Sequence, residues 1–143
     1  MSAPALAVST ELRTARLQGM LAWLDAGDGN VRIRIMGGVW PGAGLDGGTE
    51  LAVIELDKPC GKVEGGTLLL ASSGAANNLV AASGEALWAR MVTAAGHWAF
   101  DCAVVPKGSD KGGLQIEGAA TGPADGVLLY KGGKLPVVSL RLT

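Results

Sequence analysis

The sequence is poor in the residues that carry out chemistry. Its 143 residues hold one histidine, two cysteines, one tyrosine and one phenylalanine, and aromatic residues make up 4% of the chain. A lone His97 leaves a cupin-type metal site, which draws several histidines from a barrel, without its ligands. Cys60 and Cys102 are separated by 41 intervening residues and form no CxxC pair. Buried free thiols are therefore expected, one disulfide is left open, and a disulfide-built secreted scaffold is excluded. Charge is also scarce, at 17%, with 12 Lys and Arg against 13 Asp and Glu. A net charge of −1 offers no extended basic field, so neither nucleic acid nor an anionic membrane surface is an expected partner. No apolar run approaches the roughly 20 residues that span a bilayer. Glu11, Arg13 and Arg16 break up the first 24 residues, so no secretory signal is expected.

What remains is aliphatic residue and glycine. Hydrophobic residues reach 48%, mean hydropathy is +0.31, and 23 residues are glycine, about twice the usual share of roughly 7%. The first two figures call for apolar surface hidden in a core or against a partner. The glycines call for many turns, and hence many short strands. The length fits a single domain.

Residues 1–9 are small and apolar without a period, and read as an arm ahead of a single β domain over 10–143. Ser9 or Thr10 offers an N-cap, and Leu17, Leu21 and Leu24 form a stripe, so a helix is expected over 10–25, ended by the glycines of DAGDGN. From Val31 the period falls to two, with Ile33 and Ile35 alternating with Arg32 and Arg34. Further strands are expected near 49–57, 66–71, 85–93, 97–105, 113–117, 126–131 and 135–142. Ala94-Ala95-Gly96 and Gly132-Gly133 mark two hairpins, and Pro136 weakens the last strand. About eight strands with one short N-terminal helix predict an all-β fold, an antiparallel jelly-roll-like sandwich, with an up-and-down barrel not separated from it by spacing.

The motifs are weak as chemistry. Gly42-Ala-Gly44-Leu-Asp-Gly47 spells GxGxxG, but a proline precedes it and a strand follows, so it reads as a turn rather than a dinucleotide loop. His97 and Asp101 fall on one face of a regular strand and could form a base and its orienting acid, yet no GxSxG serine stands ready to be activated. Trp88 and Trp98 suggest a cross-strand pair in the core. Trp40, beside Pro41 at the mouth of the glycine-rich loop, suits an anchor for a partner. Arg13, Arg16, Arg32 and Arg34 place four of six arginines in the first 34 residues. They are either a solvated face or a patch that pairs with a partner's acidic residues.

The layout resembles the head decoration, or cement, proteins of tailed bacteriophages. The resemblance lies in STELRTARLQGMLAWLDAGDGNVRIRIMGG, LAVIELDKPCGKVEGGTLLLA, ALWARMVTAAGHWAFDCAVV and the closing GGKLPVVSLRLT, and it does not extend to an alignment of residues 107–126. It implies a non-enzymatic structural protein without cofactor. Such a protein is made in the bacterial cytoplasm and mounted as a homodimer on the outside of an HK97-like head, where it bridges neighbouring major capsid proteins. The arm, Arg13, Arg16, Arg32, Arg34 and Trp40 are the expected contacts. A phage tail or baseplate component, or less favourably a cupin-like barrel that binds a small ligand, are the alternatives, and a secreted adhesin-like sandwich lacks its signal peptide.

Overall fold

A computed structural model of the chain describes residues 2–71, 79–108, 112–116, 120–133 and 138–142. Residues 2–8 run outside any helix or strand and are mostly exposed. Helix α1 spans Thr10–Asp25, and the Ser9 hydroxyl accepts the Leu12 N–H at 3.0 Å as its cap. Only a narrow stripe of α1 is buried, at Leu17 and Leu24, with Met20 and Leu21 packed beside it. Leu12 and Trp23 point outward, so the helix leans on the core with one edge.

Ten strands follow. They are β1 (Val31–Gly37), β2 (Thr49–Leu56), β3 (Gly61–Glu64), β4 (Thr67–Ala71), β5 (Gly84–Ala86), β6 (Trp88–Val92), β7 (Trp98–Pro106), β8 (Leu114–Ile116), β9 (Val127–Leu129) and β10 (Val138–Leu142). Eight make one large curled sheet in the order β2-β1-β6-β7-β8-β10-β4-β3, while β5 and β9 pair separately. The fold is all-β with one helix, as expected, and jelly-roll-like only in a loose sense. Every pairing in the large sheet is antiparallel except β7 with β8, which is parallel. Residues 107–113 connect those two strands.

Three local expectations change. The run 85–93 is two strands, because the chain passes from the small sheet to the large one at Leu87. Gly132-Gly133 does not close a hairpin: β9 pairs with β5, and β10 lies between β8 and β4. Strand β3, short and polar at the sheet edge, was not expected at all. Pro136 lies outside the described residues.

The inner face carries the core. Val31, Ile33 and Ile35 of β1 meet Leu51, Ile54 and Leu56 of β2, Leu68 and Leu70 of β4, Met91 of β6, Ile116 of β8 and Leu17 and Leu24 of α1. Alternation then sends Arg32, Arg34 and Met36 of β1 and Trp88, Arg90 and Val92 of β6 to the outer face. That face is not left to solvent. Residues 38–48 cross it, which is why β6 is buried on both sides.

Candidate functional site: a pinned tryptophan platform

The geometry of the outer face is set by a bulge. The β6–β7 hairpin begins in register with Val92 opposite Trp98, but Met91 stands opposite Phe100, so Ala99 is an extra residue in β7. Beyond it the faces are exchanged, and Asp101 is placed across from Arg90 and on the same side as Trp98. The expected pairing of His97 with Asp101 is thereby lost. His97 is exposed at the hairpin end, where its backbone N–H donates to the Thr93 hydroxyl at 3.0 Å. The expected core pair of tryptophans is likewise absent. Trp88 stands opposite Ala103 with 4% of its surface exposed, while Trp98 stands opposite Val92 and is 46% exposed.

Asp101 is the centre of the site. Its Oδ1 accepts from Arg90 Nε at 2.7 Å and from Trp98 Nε1 at 3.0 Å. Its Oδ2 accepts from Arg90 Nη2 and Trp40 Nε1, each at 3.0 Å, and from the Gly44 N–H at 3.3 Å. Arg90 then reaches into the loop, donating from Nη1 to the Leu45 carbonyl at 2.8 Å and from Nη2 to the Gly42 carbonyl at 3.4 Å. Its guanidinium carbon lies 5.0 Å from the centre of the Trp88 ring, within cation–π range. Both charged side chains are nearly buried, at 6% and 7% exposure. Burial alone would raise the Asp101 pKa, but the donors from Arg90, Trp40, Trp98 and Gly44 outweigh it and hold the carboxyl far below the usual carboxylate range. The bond to Asp101 raises the Arg90 pKa against the opposing effect of burial.

Glycine is required where the loop touches the sheet. Gly44 has φ +70°, and a Cβ there would lie 3.1 Å from the Trp98 ring. Gly48 has φ +72°, and a Cβ there would fall 2.7 Å from the Gly37 carbonyl oxygen and 3.0 Å from the Trp88 ring. The GxGxxG spelling is thus a close-packed turn that enters β2. Trp88 Nε1 is buried and has no hydrogen-bond partner among the described residues. Beside Trp40 opens a cleft of about 340 Å³, lined also by Leu87, Trp88, Asp101, Cys102 and Ala103.

The outcome is a surface on which Val39, Trp40, Leu45 and Trp98 are exposed at 88%, 50%, 59% and 46%, around a charge pair whose hydrogen bonds are directed inward. Chemically this arrangement can bind. The carboxylate is filled by its donors and held far from a proton-transferring pKa, so it is not a base in waiting.

The five residues expected as contacts divide between two sides of the sheet. Trp40 belongs to the platform. Arg32 and Arg34 are on the same outer face but already engaged, with Glu55 at 3.5 Å and Glu50 at 2.7 Å, both on β2. Their charge is answered within the chain. Arg13 lies half-buried against the Gly66 backbone at the β3–β4 turn, and Arg16 is exposed at the rim of a cleft with Leu17, Met20, Phe100 and Leu142. Those two sit with α1 on the inner side. Arg90, Asp101 and Trp98, the residues that build the platform, were not recognised as a unit from sequence.

Both cysteines are free thiols, Cys60 buried and Cys102 partly so. Burial, then the charge and hydrogen bond of Asp25, pushes the Cys60 thiol up to about 12. Among the described residues no three His, Cys, Asp or Glu side chains gather where a metal could sit, and no helix is long and apolar enough to cross a membrane. Compared with protein families, with curated proteins and with solved structures, the chain matches none.

Proposed function

We propose that this protein is a capsid decoration protein, which binds the outside of a phage head through the tryptophan platform and stabilises the head by bridging neighbouring major capsid proteins. One observation carries the binding role: two half-exposed tryptophans are held in fixed orientation by indole N–H bonds to a buried carboxylate. Indole rings that are rigid before contact lose little conformational freedom on docking, and tryptophan dominates binding energy at protein interfaces. Val39 and Leu45, on the same loop as Trp40, are exposed as well. The partner comes from the resemblance of the chain's helix, strand and hairpin segments to tailed-phage decoration proteins.

The physical role is that of a clamp. A protein that binds the assembled lattice and not separate capsomers stabilises the lattice by mass action. As a homodimer it would make its second contact at high effective concentration, so each contact can be modest. No catalysis and no cofactor enter this role. Location on the outer surface of the virion follows from it.

Cosedimentation of the purified protein with expanded heads of the phage that carries it, and separately with unexpanded ones, tests the proposal. Saturable binding to expanded heads, weakened by Trp40→Ala, is the expected result. A folded protein that sediments with neither overturns it.

A further inference from the structure

Residues 38–48 are attached to the rest of the molecule in an unusual way. Among the described residues, four hydrogen bonds join 39–47 to the sheet, and every one ends on Arg90 or Asp101. Trp40 Nε1 and the Gly44 N–H donate to the Asp101 carboxylate, and the Gly42 and Leu45 carbonyls accept from the Arg90 guanidinium. The Leu45 N–H turns back within the loop to the Gly42 carbonyl. At either end stands a glycine with positive φ, Gly38 at +81° and Gly48 at +72°. Asp46 on the loop adds a charge attraction to Arg90, and glycine backbone packs on two rings of the sheet, Gly44 on Trp98 and Gly48 on Trp88.

The four attachments are not independent of one another. Asp101 fixes the guanidinium through two of its nitrogens, and that fork geometry aims Arg90 at the two loop carbonyls. Removing the carboxylate takes away two bonds directly and leaves the other two without the group that orients their donor. Nothing on this loop is paired into the β-ladder, so its release need not break a strand pairing.

We infer that residues 38–48 are a two-state strap and that the Arg90–Asp101 pair is its latch. Latched, the strap presents Val39, Trp40 and Leu45 beside Trp98 as one surface. Unlatched, it pivots at Gly38 and Gly48, the surface disperses, and the outer face of Trp88 loses its cover. Arg90 and Asp101 are then positioning residues, which touch no partner yet decide whether the platform exists. A partner that docks only on the latched form draws the population toward it, and its apparent dissociation constant is the intrinsic one divided by the latched fraction. The statement about binding rests on the platform being the docking surface; the statement about the strap does not.

Native-state hydrogen exchange read by mass spectrometry, on the whole protein in increasing sub-denaturing urea, tests the strap. In the wild type, the Gly44 and Leu45 amides should exchange through one shared opening that precedes global unfolding. In Asp101→Asn and Arg90→Lys their exchange should rise at least tenfold more than that of the amides of β1, β2 and β4, which follow only the change in global stability. Strap amides that exchange only with global unfolding in the wild type overturn the proposal, even if both variants fail to fold. Unchanged strap exchange in folded variants overturns it too. A variant with fast strap exchange that binds expanded heads like the wild type overturns the coupling of latch to platform. If the wild type binds no heads while its strap opens as described, the decoration reading fails and the strap stands.

Discussion

Asp101 lies opposite Arg90 only because Ala99 is an extra residue in β7, and the resulting two-pronged contact, at 2.7 and 3.0 Å, holds two indoles and a loop in place. Removing one member of a buried pair leaves the other charged and unsolvated, which costs about 3–5 kcal/mol. Arg90→Met or Asp101→Leu alone should therefore destabilise by that amount in urea unfolding. The double variant should cost clearly less than the two singles together, because no stranded charge remains. Additive losses would show that the pair does not act as a unit.

Trp40 and Trp98 each give one indole N–H to the same carboxylate, so stability and binding should separate at these positions. Trp40→Phe and Trp98→Phe each delete a bond to a charged acceptor, with an expected loss of about 1.5–3 kcal/mol in unfolding free energy. Trp40→Ala should in addition weaken association with expanded heads by about 2 kcal/mol or more, as a tryptophan anchor does. Arg32→Ala, which breaks only an exposed ion pair with Glu55, should change stability by no more than about 1 kcal/mol.

Much of the fold could be read locally. The Ser9 cap and the Leu17, Leu21 and Leu24 stripe placed α1 at 10–25, and apolar runs between glycine turns located most strands. What escaped depends on pairing between distant segments. The parallel contact of β7 with β8 leaves no trace in hydropathy, and β3 lies at an edge where Lys62 and Glu64 face water. The site was hidden by a single residue. An unbroken hairpin centred on Ala95 would put Arg90 opposite Phe100 and His97 on the face of Asp101, whereas the bulge at Ala99 reverses both. Arg90 within the apolar strand WARMV was the available signal, since an arginine flanked by Ala89 and Met91 requires a carboxylate if its face is covered.

Acid should loosen the site late. The folded Asp101 carboxyl titrates below its unfolded value of roughly 3.9, so its stabilisation is complete above about pH 4 and is lost as the pH falls toward the folded value. The stability gap between wild type and Asp101→Asn should be constant from pH 8 to 5. Below pH 4 it should narrow by about 1.4 kcal/mol per pH unit. Urea midpoints at pH 7, 5 and 3 measure this, and a gap that narrows already between pH 7 and 5 would contradict the depressed carboxyl.

Alkali should act through the thiols in the opposite sense. Cys60 is held up to about 12 from an ordinary value of 9.0, so the unfolded chain ionises first and stability falls as the pH rises above about 9. The expected slope from this group is about 1.4 kcal/mol per pH unit until the folded value is reached. Cys102, held up to about 11 by burial, adds to the slope over part of that range. Cys60→Ala should therefore flatten the slope without abolishing it. At pH 8.5 a thiol reagent should modify Cys60 of the folded protein at least a hundredfold more slowly than in urea, because only the thiolate reacts and the side chain is 2% exposed.

Gly44 should tolerate no side chain, for two reasons that add. Its φ of +70° is a left-handed conformation that costs a non-glycine residue about 1–2 kcal/mol, and the new Cβ would press on the Trp98 ring at 3.1 Å. The ring cannot retreat freely, since its indole N–H is tied to Asp101. Gly44→Ala is thus expected to cost about 2 kcal/mol and to disturb Trp98, with a shift in tryptophan emission and greater acrylamide quenching. Gly96→Ala is the control. It shares a positive φ of +90° but has open space around its Cβ, so it should show the backbone cost alone and leave the emission unchanged. Equal effects at the two positions would mean that the contact between the loop and Trp98 contributes nothing beyond the turn.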